Sequence, residues 1–514
     1  MTKAALNNGH ISIITDNLES PLKVESGKSI GITKYFEEKN IFITGATGIV
    51  GKVFVEKILR STPVGKIYVL VKADDQNAAI DRLAKELINT DLFESLREKH
   101  GKGYQTFIKE KLIPVVGNIC EPNLGMDSDS TRAITEVVNV IVMSAAITTL
   151  NERYDLLLNT NVKGPQRLMQ FAKTCKNLEL FVHFSTAYVN GEKEGIILEK
   201  PLTMGENRRK ASSEISLFHR LDVADEINLA KRSSTGSTNY DIAKDMKRLG
   251  MERAKYYGWY NAYHLTKAMA EMIIHETRGD IPVLIIRPSS IESCYKEPVP
   301  GWIQGNKVFD PVIISYGKGQ LPAFLANPDT LMDIIPLDLV VNATIAAIAK
   351  HGYTHKSELN VYQMASSLVN PLRFSEFFEY IHEYFESEPL IESQSFRRIN
   401  YFSDFSKYTR EELSCRHGMK NTVAIDAKET QKLQKQLKAK VTYAEQLCKM
   451  YEFVGFFKAR FDAGNTQELL SEMSKEEKDV FAIDVTNINW KEYFQEVHIP
   501  GLRNHLLNKK RIFQ

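Results

Sequence analysis

The chain has 514 residues, enough for two to four domains or for one large domain with an appendage. A composition of 43% hydrophobic, 25% charged and 10% aromatic residues excludes a disordered, collagenous or disulfide-scaffolded protein. The 66 lysines and arginines nearly cancel the 64 aspartates and glutamates, which leaves no global basic field of the kind that non-specific nucleic-acid binding needs.

Residues 1–36 are polar, carry Asp16, Glu19 and Glu25, and read as a flexible tail. They hold no signal-peptide core and no obvious organelle transit sequence. From Lys39 the pattern changes. The apolar run 40–44 reads as a first strand, and Val50, Val53, Phe54 and Ile58 recur at helical spacing until Pro63. Further continuous apolar strands are expected at 66–71, 112–116, 138–143, 178–184 and 283–286. Helical stretches lie between them, at 75–100 and 161–175 among others. Non-alternating strands separated by helices imply a doubly wound parallel sheet, covered on both faces, with ligand at the C-terminal strand ends.

Residues 191–258 break the rhythm. A structureless loop of that length is implausible, so the segment reads as a helical insertion that caps the cleft. Beyond Pro336 a helix is expected over 338–349 and a strand over 360–365. From Pro371 the chain is helical and aromatic-rich, with a second long helix over 428–451. The organisation expected is therefore a tail, a dinucleotide-binding domain over 37–365 and a mainly helical domain over 366–514. No apolar run reaches the ~18 residues of a membrane-spanning helix. The run 137–150 is interrupted by Asn139 and Ser144 and reads as a buried strand with its exit loop. Cys120, Cys175, Cys294, Cys415 and Cys448 form no Cys-x-x-Cys pair, which points to a reducing compartment and away from a zinc site; no metal is expected. Cys294 has no local base signature and reads as packing.

Three motifs carry chemistry. The first, 44–51, is Thr-Gly-Ala-Thr-Gly-Ile-Val-Gly between a strand and a helix. Gly45 permits a tight turn, Gly48 lets the backbone approach a pyrophosphate, and Gly51 lets helix and strand pack closely. The phosphates would sit on the helix N-terminus. At the end of the second strand stands Lys72 rather than a carboxylate, which attracts a 2′-phosphate and favours NADPH over NADH. Asp74 and Asp75 remain candidates for a ribose. The second motif is Tyr263-His264-Leu265-Thr266-Lys267. Tyr263 and Lys267, four residues apart, share one helical face. An ammonium beside the phenol would lower its pKa and suit it to proton transfer. The third is the fifth strand's end, Ser185-Thr186. Alternate residues face opposite sides of a strand, and Thr186 is expected to face the cleft and hold a carbonyl oxygen.

Together these features resemble the extended short-chain dehydrogenase/reductase superfamily, and more narrowly the plant fatty acyl reductases of the male-sterility type. The likeness runs from Gly31 to Arg503. It rests on Val53 to Arg60, on Ser185 to Gly191, on Ile286 to Ser293 with Pro300-Gly301-Trp302, and on Val497-His498-Ile499-Pro500-Gly501-Leu502. The resemblance implies NADPH-dependent reduction of a long-chain acyl thioester to a primary fatty alcohol through a bound aldehyde, in lipid, wax or sporopollenin-type biosynthesis. The acyl group would arrive on coenzyme A or on acyl carrier protein, with palmitoyl-length chains accepted.

The resemblance also assigns residues. Thr44, Gly45, Thr47, Gly48, Ile49, Val50 and Gly51 match the cofactor loop. Asn118 and Ile119 match the adenine position, with Asn118 where aspartate is usual. Ser144, Ala145 and Ala146 match the strand-four exit along the cofactor, Asn161 the brace of the active site, and Pro288 the exit of strand six. Thr186, Tyr263 and Lys267 match the catalytic set, the last two also touching the cofactor. Ile49-Val50-Gly51 stands where the plant enzymes commonly have Phe-Leu-Ala. The likeness implies a plastid location; without a legible transit sequence the reading is cytoplasmic. It allows peripheral membrane contact. Arg208-Arg209-Lys210, and Arg503 with Lys509-Lys510-Arg511, are candidate docking clusters for an acidic carrier. Alternatives are a reductase that stops at the aldehyde and a nucleotide-sugar epimerase or dehydratase on the same fold. Retention of Tyr263 and Lys267 speaks against a non-catalytic NADP sensor.

Overall fold

A computed structural model describes residues 29–208, 220–233, 239–321, 323–390, 396–404 and 442–507. Seven parallel strands form its central sheet: β1 (Ile41–Thr44), β2 (Ile67–Val71), β3 (Leu112–Val116), β4 (Val140–Met143), β5 (Leu180–Phe184), β6 (Val283–Pro288) and β7 (Leu359–Met364). Their order is β7-β6-β5-β4-β1-β2-β3. The strand order reverses between β1 and β4, and that switch point is where a doubly wound sheet opens a crevice.

Successive side chains of each strand enter different cores. Ile41, Ile43, Val140, Val142, Val182 and Leu284 join one apolar cluster, while Phe42, Ile141, Phe181, Val283 and Ile285 join another. Two buried faces explain why the strands are apolar at most positions rather than alternating. Helix α1 (Ile49–Ser61) and α6 (Leu337–Gly352) cover the first face, and α2 (Lys163–Ala172) the second. Between α2 and α6 lie α3 (Asn239–Tyr257), α4 (Ala262–Thr277) and α5 (Asp310–Gly317).

The 191–258 segment supplies α3, a helix at Val223–Ser233 and a strand at Gly195–Ile197. Its apolar side packs on Tyr154, Leu157, Leu265 and Met269. Glu226 is buried there, and its carboxylate accepts from the Arg253 guanidinium and from the hydroxyls of Tyr154 and Tyr257. That satisfies a charge that would otherwise be costly to bury.

The C-terminal region adds α7 (Phe374–Ser387) and α8 (442–455). Residues 428–441 of the expected long helix lie outside the described residues. This region is not helical alone. Ala459–Phe461 pairs with Gly195–Ile197, Asn400–Phe402 with Ala323–Leu325, and Leu372–Arg373 with Leu331–Met332. Phe374, Phe377 and Phe378 also enter the apolar cluster that underlies the sheet.

One expectation needs correction. Residues 29–36, read as part of a flexible tail, are packed. Glu477 accepts from the amides of Ile30, Gly31 and Ile32 at 2.7–3.0 Å, and Ile32, Tyr35 and Phe36 are buried. The partner carboxylate lies some 445 residues away in sequence, which a local reading cannot see.

Candidate active site

The glycine loop follows β1 at the switch point. Gly45 has φ +76°, and a Cβ there would lie 2.4 Å from the Ala145 amide nitrogen. A Cβ on Gly51 would lie 2.3 Å from the Gly45 carbonyl oxygen. Gly48 caps α1 with extended backbone, and its amide donates to the Gly45 carbonyl at 2.9 Å. The loop therefore needs glycine at Gly45 and Gly51, and it leaves the first amides of α1 open to an anion. Ile49 and Val50 pack that first turn against the core, and Thr47 is partly exposed beside exposed Gly48. Thr44 is fully buried and turned sideways, its Oγ1 accepting from the Ala145 amide at 3.4 Å. Ser144, Ala145 and Ala146 line the strand-four exit, partly exposed.

Beyond β2 and β3 opens a cavity of about 570 Å³, lined by Lys72, Ala73, Asp74, Arg82, Gly117 and Asn118 among others. Asp75 does not line it; one oxygen of its carboxylate caps the helix Gln76–Leu83 by accepting from the Ala78 amide. Arg82 was not singled out from the sequence. Its guanidinium reaches back to the Lys72 carbonyl at 2.9 Å while pairing with Glu86. The Asn118 side-chain oxygen accepts from the Cys120 amide at 3.0 Å. Ile119 does not line this cavity; it points into the apolar cluster, where Gly164 makes room for it.

Helix α4 presents Tyr263 and Lys267. Asn261 caps it, accepting from the His264 amide at 2.9 Å. The Lys267 ammonium is buried and donates to the carbonyl of Phe184, the last residue of β5, at 2.7 Å. Burial pulls its pKa down to about 8, against a smaller opposing pull from Glu271. Here the structure corrects an expectation. Burial holds the Tyr263 phenol above its ordinary pKa, and the ammonium is engaged with Phe184 instead of lowering it. A high pKa keeps the phenol protonated, as a proton donor must be. Among the described residues nothing hydrogen-bonds the Tyr263 hydroxyl.

Thr186 and Ser185 diverge as the pleat requires. Ser185 donates to Glu271, which also holds the fully buried Arg287 in a bidentate pair. Thr186 has only long contacts, donating to the Pro288 carbonyl at 3.5 Å and accepting from the Tyr188 amide at 3.4 Å. Its hydroxyl can turn to a stronger partner. Asn161 clamps the strand-four exit from below: it accepts from the Ile147 amide and donates to the Ile147 carbonyl, both at 2.9 Å, and its amide lies 3.4 Å from Thr266 between Tyr263 and Lys267.

The aromatic cover over this face went unread in the sequence. His264 stacks on Tyr188, with centroids 5.4 Å apart, and Phe453 of α8 stands edge-on to both. Tyr260 stacks on Phe453, while Phe457 and Phe461 pack against Tyr188. Burial holds His264 neutral, with a pKa of about 3. Beside this cluster opens a second cavity of about 750 Å³, lined by the aromatic rings of Tyr260, Phe453 and Phe456, by Leu150, Met251 and Met450, and by mixed charges, Lys193, Lys255, Lys449 and Lys458 with Glu192, Glu194 and Glu452. The run 451–461, with five aromatics in eleven residues, was the available signal. The candidate docking cluster is also corrected: Arg208 is buried and paired with Glu206 at 2.8 Å, so it presents no cation to a partner. Arg209, Lys210, Lys509, Lys510 and Arg511 lie outside the described residues. Arg503 pairs with Glu388 at 3.1 Å. Cys294 is fully buried, and its burial pushes the thiol well up, away from reactivity.

Two family models match, both described as male sterility protein, over residues 43–344 and 422–509. The chain is 46% identical over 502 residues to the chloroplastic fatty acyl-CoA reductase 2 of Arabidopsis thaliana, covering 93% of this chain and 80% of that one. It is 38% identical to the alcohol-forming fatty acyl-CoA reductase of Simmondsia chinensis, covering 93% and 99%. In fold it is similar to the terminal reductase domain of the myxalamid biosynthetic pathway, with a TM-score of 0.59 at 15% identity and 92% of each chain covered. A nonribosomal peptide synthetase reductase domain from Mycobacterium tuberculosis gives 0.54 at 17%, covering 93% and 94%. The chain belongs to the male sterility family of fatty acyl-CoA reductases.

Proposed function

We propose that this chain reduces a long-chain fatty acyl thioester to the primary alcohol, with NADPH as cofactor and Thr186, Tyr263 and Lys267 as its catalytic residues. The observation that carries the reading is that Lys267, on the same helix as Tyr263, is tied to the Phe184 carbonyl two residues before the weakly bonded Thr186, while Tyr260 and Asn261 at the start of that helix line a cavity shared with Phe453. The glycine loop fits a dinucleotide, since a Cβ at Gly45 or Gly51 would close the approach to α1. Lys72 and Arg82, both lining the cavity beyond β2, suit a 2′-phosphate; Asp74 on the same wall suits a ribose hydroxyl instead. NADPH would supply one hydride per molecule, so two molecules bound in turn would serve the two reduction steps.

The chain's own residues do the rest. Thr186 donates to the carbonyl oxygen and polarises it. Tyr263 delivers the proton as that oxygen becomes a hydroxyl in the hemithioacetal; collapse to the aldehyde then breaks the carbon–sulfur bond and releases the carrier as its thiol, which takes the hydroxyl proton, and Tyr263 gives a proton again as the aldehyde becomes the alcohol. Lys267, one helical turn from Tyr263, holds that face of α4 against the end of β5 through its bond to the Phe184 carbonyl. The aromatic wall from α8 excludes water and accepts an acyl chain, which favours an apolar substrate over a sugar nucleotide. Holding the aldehyde there allows the second reduction.

The carrier would dock at the rim of the 750 Å³ cavity, where Lys193 and Lys255 are exposed. Both coenzyme A and acyl carrier protein present a phosphopantetheine arm, and both are expected to serve. A plastid location follows the name of the Arabidopsis relative. The test is incubation of the purified protein with palmitoyl-coenzyme A and either NADPH or NADH, followed by lipid extraction. Hexadecanol formation with NADPH is expected. Release of free hexadecanal, or turnover of UDP-glucose instead, would overturn the reading.

A further inference from the structure

Two of the sequence motifs that carry the family likeness meet in space. A Cβ on Gly501 would lie 2.1 Å from the Gly301 carbonyl oxygen, so the Pro300-Gly301-Trp302 turn and the 498–501 segment touch backbone to backbone. Next to that contact, Glu292, Asp310 and His498 converge from three separate elements: the short strand Ser290–Glu292, the first turn of α5, and the end of the helical turn Tyr493–His498. All three residues are fully buried.

Each spends one polar atom on its surroundings and aims the other inward. Glu292 Oε1 accepts from the Phe309 amide at 3.1 Å, and Asp310 Oδ2 from the Lys307 amide at 3.0 Å. His498 Nδ1 lies 2.9 Å from Ser293 Oγ. The remaining atoms, Glu292 Oε2, Asp310 Oδ1 and His498 Nε2, have no hydrogen-bond partner. Nε2 is 3.3 Å from Asp310 Oδ1 and 3.6 Å from Glu292 Oε2, but neither contact has hydrogen-bond geometry. The three atoms lie within 4.8 Å of one another. Leaving three such atoms dry and unpaired is costly. A shared cation removes that cost. Bonds of about 2.0–2.1 Å to nitrogen and oxygen in a tetrahedral site put neighbouring ligands roughly 3.3–3.4 Å apart. The two nitrogen–oxygen separations, 3.3 and 3.6 Å, lie at that spacing and slightly beyond it.

We propose that Glu292, Asp310 and His498 bind a divalent transition-metal ion, zinc in the first instance, that clasps the C-terminal region to the sheet domain. An imidazole with two carboxylates suits zinc, and two negative ligands neutralise its charge in a dry site. Ser293 completes the arrangement in the manner expected beside a metal-bound histidine: it holds Nδ1, and Tyr493, packed against the same serine, donates to its backbone carbonyl at 2.9 Å. The cysteine pattern pointed away from zinc, but this site uses no cysteine. The clasp does not depend on the assigned reaction. It sits behind the active-site wall, two residues from Ser290, whose hydroxyl lies 3.2 Å from that of Tyr188.

The test is metal analysis of the full-length chain, purified without an immobilised-metal step. Zinc near one equivalent per chain is expected, falling to near zero in Glu292→Gln, which keeps the side chain's shape. The thermal midpoint of the unaltered chain is expected to drop with 1,10-phenanthroline and to recover on adding zinc chloride. Absence of any stoichiometric transition metal, with a midpoint indifferent to chelator and to added zinc, would overturn the proposal and leave the three groups sharing protons alone. Because the unaltered chain gives the decisive reading, misfolding of the variant does not obscure the answer.

Discussion

Lys267 donates its ammonium to the carbonyl of Phe184 at 2.7 Å, and so ties the face of α4 to the end of β5, two residues before Thr186. Burial brings its pKa down to about 8. The functional form is the ammonium, present below that value and lost above it. In the free enzyme, kcat/KM is therefore expected to be level at neutral pH and to fall tenfold per unit above about 8. Lys267→Arg keeps the cation at every accessible pH and should abolish that alkaline limb. An unchanged limb in the arginine variant would assign it to another group.

The Tyr263 hydroxyl is the proposed proton donor. Tyr263→Phe removes only one oxygen and leaves the ring against His264, where the centroids are 5.5 Å apart. Turnover is expected to fall at least ~10²-fold, the usual scale for an acid–base group, with cofactor affinity retained. Rates of alcohol formation and cofactor titration by fluorescence check both halves. Near-normal turnover in the folded variant would remove Tyr263 from the mechanism.

The fold was largely legible because each strand is buried on both faces, which writes an unbroken apolar run into the sequence. Gly45 and Gly51 were legible for a related reason: their clashes are with backbone of the same motif or of the next strand's exit. The divergence of Thr186 and Ser185 is a matter of pleat alternation, with the Ser185 hydroxyl on Glu271 and that of Thr186 on the Pro288 carbonyl. What escaped reading depends on residues far apart in the chain. The seat of residues 29–36 on Glu477, the aromatic wall formed by Phe453 against Tyr188, and the meeting of Glu292 with His498 have no local periodicity to announce them. Arg208 failed for the opposite reason. A run of three cations looks exposed, but the first is buried and paired with Glu206.

Arg287 and Glu271 form a fully buried bidentate pair directly under Ser185. Removing one partner strands the other charge without water. Arg287→Leu is expected to destabilise the fold by about 3–5 kcal/mol, read as a lower denaturation midpoint. The double variant Arg287→Leu with Glu271→Leu should recover much of the loss, since no charge is then left uncompensated. Equal losses in the single and double variants would show that the pair is not what holds this layer.

Lys72 and Arg82 stand at one wall of the cavity beyond β2, and Asp75 is occupied as a helix cap. Lys72→Glu is expected to raise KM for NADPH and to shift preference toward NADH, with kcat nearly unchanged. Arg82→Ala should act in the same direction, because its guanidinium is held over the same strand end. An unchanged cofactor preference in both variants would place the 2′-phosphate elsewhere.

Phe453 links the C-terminal region to the proposed chemistry. It lines the 750 Å³ cavity and stands edge-on to His264, the neighbour of Tyr263, at 5.5 Å. It is only partly buried, so it is less a core residue than a wall. If acyl chains lie along it, each methylene it covers is worth roughly 0.8 kcal/mol. Phe453→Ala should then raise KM by about tenfold for palmitoyl thioesters, a loss of about 1.4 kcal/mol, and much less for short acyl chains. Steady-state kinetics over a chain-length series separates this from a general defect. A loss that is uniform across chain lengths would mean that α8 supports the site without touching the acyl group, and the chain would have to be sought along another wall of the cleft.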